Sequence, residues 1–210
     1  MRNEQALKAA ESEHFVQFFD SSKSLAEAVG PFLSLGLSRG DSVLMAATPQ
    51  NAELLTQRLE EAGWNVHEAI AARRMAVLDA SRTLDTFMRQ DLPNAIAFDE
   101  VVGTLVRQLA NGRRVWIYGE MVDVLAAKGN FRGAHALELL WNDLGHRECF
   151  SLFCGYASGH FGDPRSASAL GQICEAHGHV HRKADDLLAE YLLEQPHVKA
   201  CHLAAAAHRS

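Results

Sequence analysis

Among the 210 residues are four cysteines, and no two of them stand at the CxxC spacing of a structural zinc or redox pair. Cys149, Cys154, Cys174 and Cys201 are also too few and too scattered for the disulfide framework of a small secreted domain. The opening MRNEQALKAAESEH is polar and charged, so no secretory leader is read there, and reduced thiols in a cytoplasmic protein are expected. Long hydrophobic runs are missing too. The greasy stretches are strand-sized, short of the roughly 18 residues that cross a bilayer, so no membrane span is expected. There is no basic excess: 20 lysines and arginines face 26 acidic residues, the formal charge is −6, and the cations form no stripe. Direct binding to nucleic acid is therefore not expected. No internal repeat, low-complexity linker or G-x-S-x-G elbow occurs.

What remains has the composition of an ordinary globular domain, with 48% hydrophobic and 22% charged residues. A chain of this length can bury a layered core without metal or disulfide. His14–Phe19 is a short aromatic and β-branched run, read as a strand. Leu25, Ala28, Val29, Phe32 and Leu33 then share one helical face that ends near Gly36, with Asp20, Ser21 and Ser22 supplying capping oxygens and Pro31 a kink. Ser42–Ala47 is a continuous apolar run, as in a parallel strand buried on both faces, and Thr48-Pro49 opens a helix that Gly63 stops. The alternation repeats with a strand at Met75–Asp79, helices over Ser81–Arg89 and Asp99–Ala110, and a strand at Arg114–Tyr118. Two helical stretches then flank Gly129-Asn130 before a strand at Cys149–Cys154. Strands separated by helices specify an α/β fold: a mainly parallel sheet with helices on both faces. The segmentation is a lead-in over residues 1–12, a domain over 13–182 and a helical tail over 183–210.

The stretches Val115–Leu125, containing GEMV, Leu137–Asn142 (LELLWN) and Phe150–Tyr156 (FSLFCGY), occur in that order. Together with His14–Asp20 and Val77–Ala80, they resemble the MEDS family, the methanogen/methylotroph DcmR sensory domain. The resemblance covers about residues 13–180. It implies a RecA/KaiC-like fold used for sensing, with small, hydrocarbon-derived signals as inputs and histidine kinases or transcription regulators as outputs. After it the chain has no recognisable kinase, receiver or helix-turn-helix module, so a stand-alone sensor acting on a signalling partner in trans is expected. A homo-oligomer is left open.

In such a fold Gln17–Ser24 stands in register with G-x-x-x-x-G-K-[ST]. Ser22, Lys23 and Ser24 form a degenerate phosphate loop. Lysine and serine fit, but both glycines fail, and Asp20 adds negative charge where a polyphosphate would lie. Lys23 and Ser24 read as first-turn helix residues. Ligands of open α/β sheets bind beyond the carboxyl ends of strands, where Asp20, Thr48, Asp79, Glu120, Met121 and Tyr156 gather as candidate ligand-binding residues. Glu120 is the sharpest of them, its plainer reading being a first-turn carboxylate on the next helix dipole. Trp116 and Trp141 add an apolar wall or simply fill the core.

His177, His179 and His181 would share one face of a strand, but helical patterns on either side place them in a helix, where steps of 200° scatter them. No metal and no cofactor are therefore expected. Cys154 reads as a small hydrophobe at a strand end, and no catalytic residue is assigned. The expected function is signal sensing through a small ligand, a signalling partner or both. Two alternatives are a nucleotide-binding KaiC-like ATPase and an interaction module without a ligand.

Overall fold

The computed structural model describes residues 13–161, 167–177 and 179–181. Its centre is a six-stranded sheet of β1 (Glu13–Phe19), β2 (Ser42–Ala47), β3 (Met75–Asp79), β6 (Val115–Gly119), β7 (Phe150–Ala157) and β8 (His179–His181). The order is β3-β2-β6-β7-β1-β8 and every pairing is parallel. β4 (Met88–Arg89) and β5 (Leu92–Pro93) make a separate antiparallel pair. The α/β class expected from the alternation of runs is the class observed.

Each strand owes its place to apolar content. All six residues of β2 are buried, as a strand with helices on both faces requires. On β1 the period of two puts His14, Val16 and Phe18 on one face and Phe15 and Phe19 on the other. The first face carries the larger core: Val16, Leu44, Ile117 and Leu152 meet Phe98, Leu137 and Trp141. Phe98 and Trp141 pack edge to face at 5.2 Å. On the second face Met45, Tyr118 and Phe153 pack with Val29, Leu33 and Leu55. Burying each such side chain contributes about 1.5–3 kcal/mol.

The helices start where side chains satisfy their free amides. α1 (Ser22–Ser38) begins at a reciprocal cap: Ser24 N–H donates to Ser21 Oγ, and Ser21 N–H donates to Ser24 Oγ. Pro31 lies inside α1 without ending it. α2 (Pro49–Glu61) opens on proline, and Gly63 beyond its end has φ +89°, which a side chain would resist. Asn65, Asp79 and Asn130 cap α3 (Val66–Ala71), α4 (Ala80–Phe87) and, after α7 (Met121–Ala127), α8 (Phe131–Gly145).

Several boundaries differ from the sequence reading. α3 is short, and its pattern was too brief to register. α4 stops at Phe87 because Met88–Arg89 turns back on Leu92–Pro93 through Gln90 at φ +56°. The helix expected from Asp99 starts earlier, as α5 (Ala95–Phe98), passes through a π turn at Asp99–Gly103 and continues as α6 (Thr104–Ala110). β7 runs on to Ala157, so Cys154 lies inside a strand and not at its end. The reading of His177–His181 as helical is corrected: α9 (Ala167–Glu175) ends first, and His179–His181 pairs with the otherwise open edge of β1. The lead-in 1–12 and the tail 183–210 lie outside the described residues. Among the described residues no helix is long and apolar enough to cross a membrane.

Candidate functional site

A crevice of about 300 Å³ opens at the carboxyl ends of β1, β6 and β7, lined among others by Phe19, Asn51, Tyr118, Glu120, Asp123 and Tyr156. Glu120 is one of its lining residues and is 4% exposed. It stands immediately before α7 but makes no side-chain cap to it. Its carboxylate turns instead to the start of α2, accepting from Thr48 N–H at 2.7 Å, from Thr48 Oγ1 at 3.2 Å and from Asn51 Nδ2. Every donor is neutral. Burial therefore raises the Glu120 pKa above the ordinary range, the Thr48 and Asn51 hydrogen bonds oppose the rise, and the Asp123 charge adds to it.

Asp123, in the first turn of α7, accepts from Ala157 N–H at 2.9 Å and lies 3.3 Å from His160 Nε2. Its pKa is raised as well, burial outweighing the Ala157 hydrogen bond and His160. Tyr118 lines the same crevice, fully buried, and its hydroxyl has no hydrogen-bond partner among the described residues. Burial first, and then Glu120, push its pKa well up, so the phenol stays neutral. Asn51 Oδ1 is likewise buried and unpartnered. Two orphaned polar atoms beside a crevice are unusual in a native interior.

The expected site residues divide. Asp20, Ser22, Glu120 and Tyr156 line the crevice, and Thr48 reaches it through Glu120. Asp20 Oδ1 accepts from Ser158 Oγ at 2.6 Å, which ties the ends of β1 and β7 together. Lys23 is exposed, and Ser24 is spent on the cap of α1. Asp79 caps α4 by accepting from Ser81 and Arg82 N–H and lies outside the lining. Met121 is fully buried in the first core, and Trp116 and Trp141 fill opposite cores, so none of the three walls the crevice. Asn51, Tyr118 and Asp123 went unnoticed in the sequence. An acid three residues after Glu120 on a helix was the available signal for Asp123.

A second group of polar side chains lies inside the first core. Glu138 on α8 is 0% exposed. Its Oε1 accepts from Tyr156 Oη at 2.7 Å and is 3.3 Å from His177 Nε2, while its Oε2 is 3.2 Å from His14 Nε2 and accepts from Cys154 Sγ at 3.3 Å. Burial disfavours the Glu138 anion, but the rings of His177 and His14 outweigh it and hold the carboxyl below the usual carboxylate range. Burial and then Glu138 push the Cys154 thiol well up. The description of Cys154 as a plain small hydrophobe is thus corrected: its sulfur is in polar contact. Tyr156 joins the two regions, lining the crevice and donating to Glu138.

A search of curated protein sequences gave no match. Among solved structures, the fold is similar to that of a KaiC-like protein from the hyperthermophilic archaeon Pyrococcus horikoshii, with a TM-score of 0.47 and 12% identity. That alignment covers 71% of this chain and 64% of the archaeal one, a little under two thirds of its length. Residues 13–177 match the profile of the MEDS family, described as the methanogen/methylotroph, DcmR sensory domain. The span takes in Glu120, Glu138 and all their described partners, and the chain belongs to the MEDS family of sensory domains.

Proposed function

We propose that this sensory domain receives its signal as a small neutral or cationic molecule bound in the crevice between Tyr118, Glu120 and Asp123. The observation that carries the reading is the unpartnered Tyr118 hydroxyl in a fully buried side chain at a crevice of about 300 Å³. A volume of this size suits a small ligand. Among the described lining residues Asp20, Glu120 and Asp123 are acidic and none is Lys or Arg, which favours amines and alcohols over carboxylates and polyphosphates. The apolar part of the lining, Phe19, Leu25 and Ala157, suits a short hydrocarbon chain. Arrival of such a ligand would satisfy Tyr118 and Asn51 and bias the junctions of β6 with α7 and of β7 with the turn at Ser158. Any switch requires that the ligand prefer one packing over another. Output would pass to a histidine kinase or transcription regulator.

The start of α1 argues against a nucleotide-hydrolysing reading. Only Asp20 and Ser21 separate β1 from α1, too little chain for a loop of inward-facing amides, and Ser24 Oγ donates back to Ser21 O at 2.9 Å.

The test is thermal denaturation of the intact chain with butylamine, butanol, butyrate or Mg-ATP, and with Glu120→Gln beside the wild type. Saturable stabilisation by the amine or alcohol, with dissociation constants on the order of millimolar, is expected. Butyrate should give none, and Glu120→Gln should weaken the response to the amine. Multiple-turnover ATP hydrolysis that disappears in Glu120→Gln would overturn the reading.

A further inference from the structure

We propose that His14, Glu138, Cys154 and His177 are the four ligands of a buried divalent metal ion of zinc-like chemistry. The inference is independent of any ligand in the crevice.

Geometry comes first. One donor atom from each of the four residues lies within 4.8 Å of all the others. The close pairs are tighter: His14 Nε2 is 3.2 Å from both Cys154 Sγ and Glu138 Oε2, Cys154 Sγ is 3.3 Å from Glu138 Oε2, and His177 Nε2 is 3.3 Å from Glu138 Oε1. Zinc bonds of about 2.0–2.3 Å in a tetrahedron imply edges of roughly 3.3–3.7 Å between ligand atoms. The four donors are thus already near the separations that one ion would impose.

Tautomers point the same way. His177 Nδ1 is 2.6 Å from Ile173 O, a carbonyl that can only accept, so Nδ1 carries a proton and Nε2 is left facing the carboxylate. His14 Nδ1 is 2.8 Å from Asn142 Oδ1, and Asn142 Nδ2 donates to Ala176 O at 2.7 Å, which fixes the amide as an acceptor toward His14. Both rings are therefore held through Nδ1 by oxygen atoms with Nε2 directed inward, the outer arrangement that metal-binding histidines use. The His177 side chain is 0% exposed, and its buried Nε2 lies 3.3 Å from Glu138 Oε1 without making a hydrogen bond of good geometry to any described residue. An Nε2 that faces a carboxylate calls for a cation between them, a proton when the site is empty and a metal ion when it is filled.

Charge and chemistry complete the case. Among the described residues, the charged groups that act on Glu138 are His177 and His14, with no Lys or Arg beside them. One thiolate and one carboxylate neutralise a divalent ion, so a filled site buries no net charge, and binding releases the Cys154 thiol proton. Mixed sulfur, imidazole and carboxylate donors favour zinc over magnesium or calcium, which take oxygen. The ion would join β1, α8, β7 and the chain after α9, four elements far apart in sequence. A small hollow of about 100 Å³, bounded by Trp141, Asn142, Gly145 and Phe150, reaches His14.

The experiment is elemental analysis of the full chain after zinc loading and removal of excess metal, with cobalt(II) substitution followed by absorption. One metal per chain is expected, and the cobalt form should show tetrahedral d–d bands and a thiolate-to-cobalt band. Cys154→Ser should remove the thiolate band and Cys149→Ser should keep it. Asn142→Leu should weaken affinity 10- to 100-fold by freeing the His14 ring. X-ray absorption of the zinc-loaded wild type needs no variant: one sulfur and three nitrogen or oxygen neighbours are expected. No sulfur in that shell, no retained metal, or a cobalt–thiolate band that survives Cys154→Ser would each overturn the proposal.

Discussion

Glu120 and Glu138 are both buried acids on the same sheet scaffold, and their surroundings push them in opposite directions. Glu120 meets only neutral donors, Thr48 and Asn51, with Asp123 nearby, so its proton is held more tightly than usual. Glu138 is still more deeply buried, yet two imidazoles, a thiol and a phenol surround it, and its anion is favoured. Burial alone therefore predicts neither acid. What decides is whether the neighbours can supply positive charge. The strand-end acid faces a crevice with orphaned polar atoms, a place suited to a passing ligand. The interior acid sits among converging donors, a place suited to a resident ion.

The most direct way to break this contrast is to replace each acid in turn. Glu138→Ala removes the centre of a buried polar group, leaves His177 and Tyr156 unpaired and opens a cavity, so a loss of about 3–5 kcal/mol is expected. Glu120→Gln keeps the shape and can pair with Asn51 Oδ1 after an amide flip, so about 1 kcal/mol or less is expected. Urea midpoints at pH 7 measure both, and equal losses would mean that the two sites do not differ in kind. Tyr156→Phe comes next. It removes one hydrogen bond to a charged acceptor, at about 1.5–3 kcal/mol. Because Tyr156 also borders the crevice, the same variant shows whether butylamine binding responds to a change at Glu138.

The sequence revealed these two regions unequally. The α/β class followed from Ser42–Ala47 and Val115–Tyr118, whose unbroken apolar content suits strands covered on both faces, and Glu120 followed from its place just past a strand. Glu138 did not stand out, because glutamate in an amphipathic helix normally reads as solvated. The stripe of Ala134, Leu137, Glu138, Trp141, Leu144 and Gly145 was the available signal, since an acid there must point into the core. His14 and Cys154 lie on inward positions of adjacent strands, Val16 and not His14 being the register partner of Cys154, and only the β1–β7 pairing brings them together. His177 was hidden by the helical patterns around it. Its position depends on the chain leaving α9 to pair with the β1 edge, a tertiary choice that periodicity does not encode.

A subtler contrast is pH dependence. Glu120 is raised in the folded state, so the fold holds its proton over a window where the unfolded chain has lost it. That contribution is fully present below the unfolded carboxylate pKa of about 4.3 and is lost as pH rises through the higher folded value. Glu120→Gln should therefore flatten the fall in stability on the alkaline side of this window, measured as urea midpoints at half-unit steps of pH. A wild-type stability that rises through the same window, with the variant unchanged, would place the Glu120 proton incorrectly.

The smallest expected effect is at Tyr118, and its smallness is the point. A buried hydroxyl with a partner costs about 1 kcal/mol or more to delete, but an orphaned one has already been desolvated without compensation. Tyr118→Phe should thus leave stability within about 0.5 kcal/mol of wild type or raise it. Butylamine or butanol affinity should fall at the same time if the hydroxyl is reserved for a ligand. A clear loss of stability would instead show that Tyr118 is satisfied within the folded chain, and the crevice would then resemble the Glu138 interior in having its polar groups already engaged.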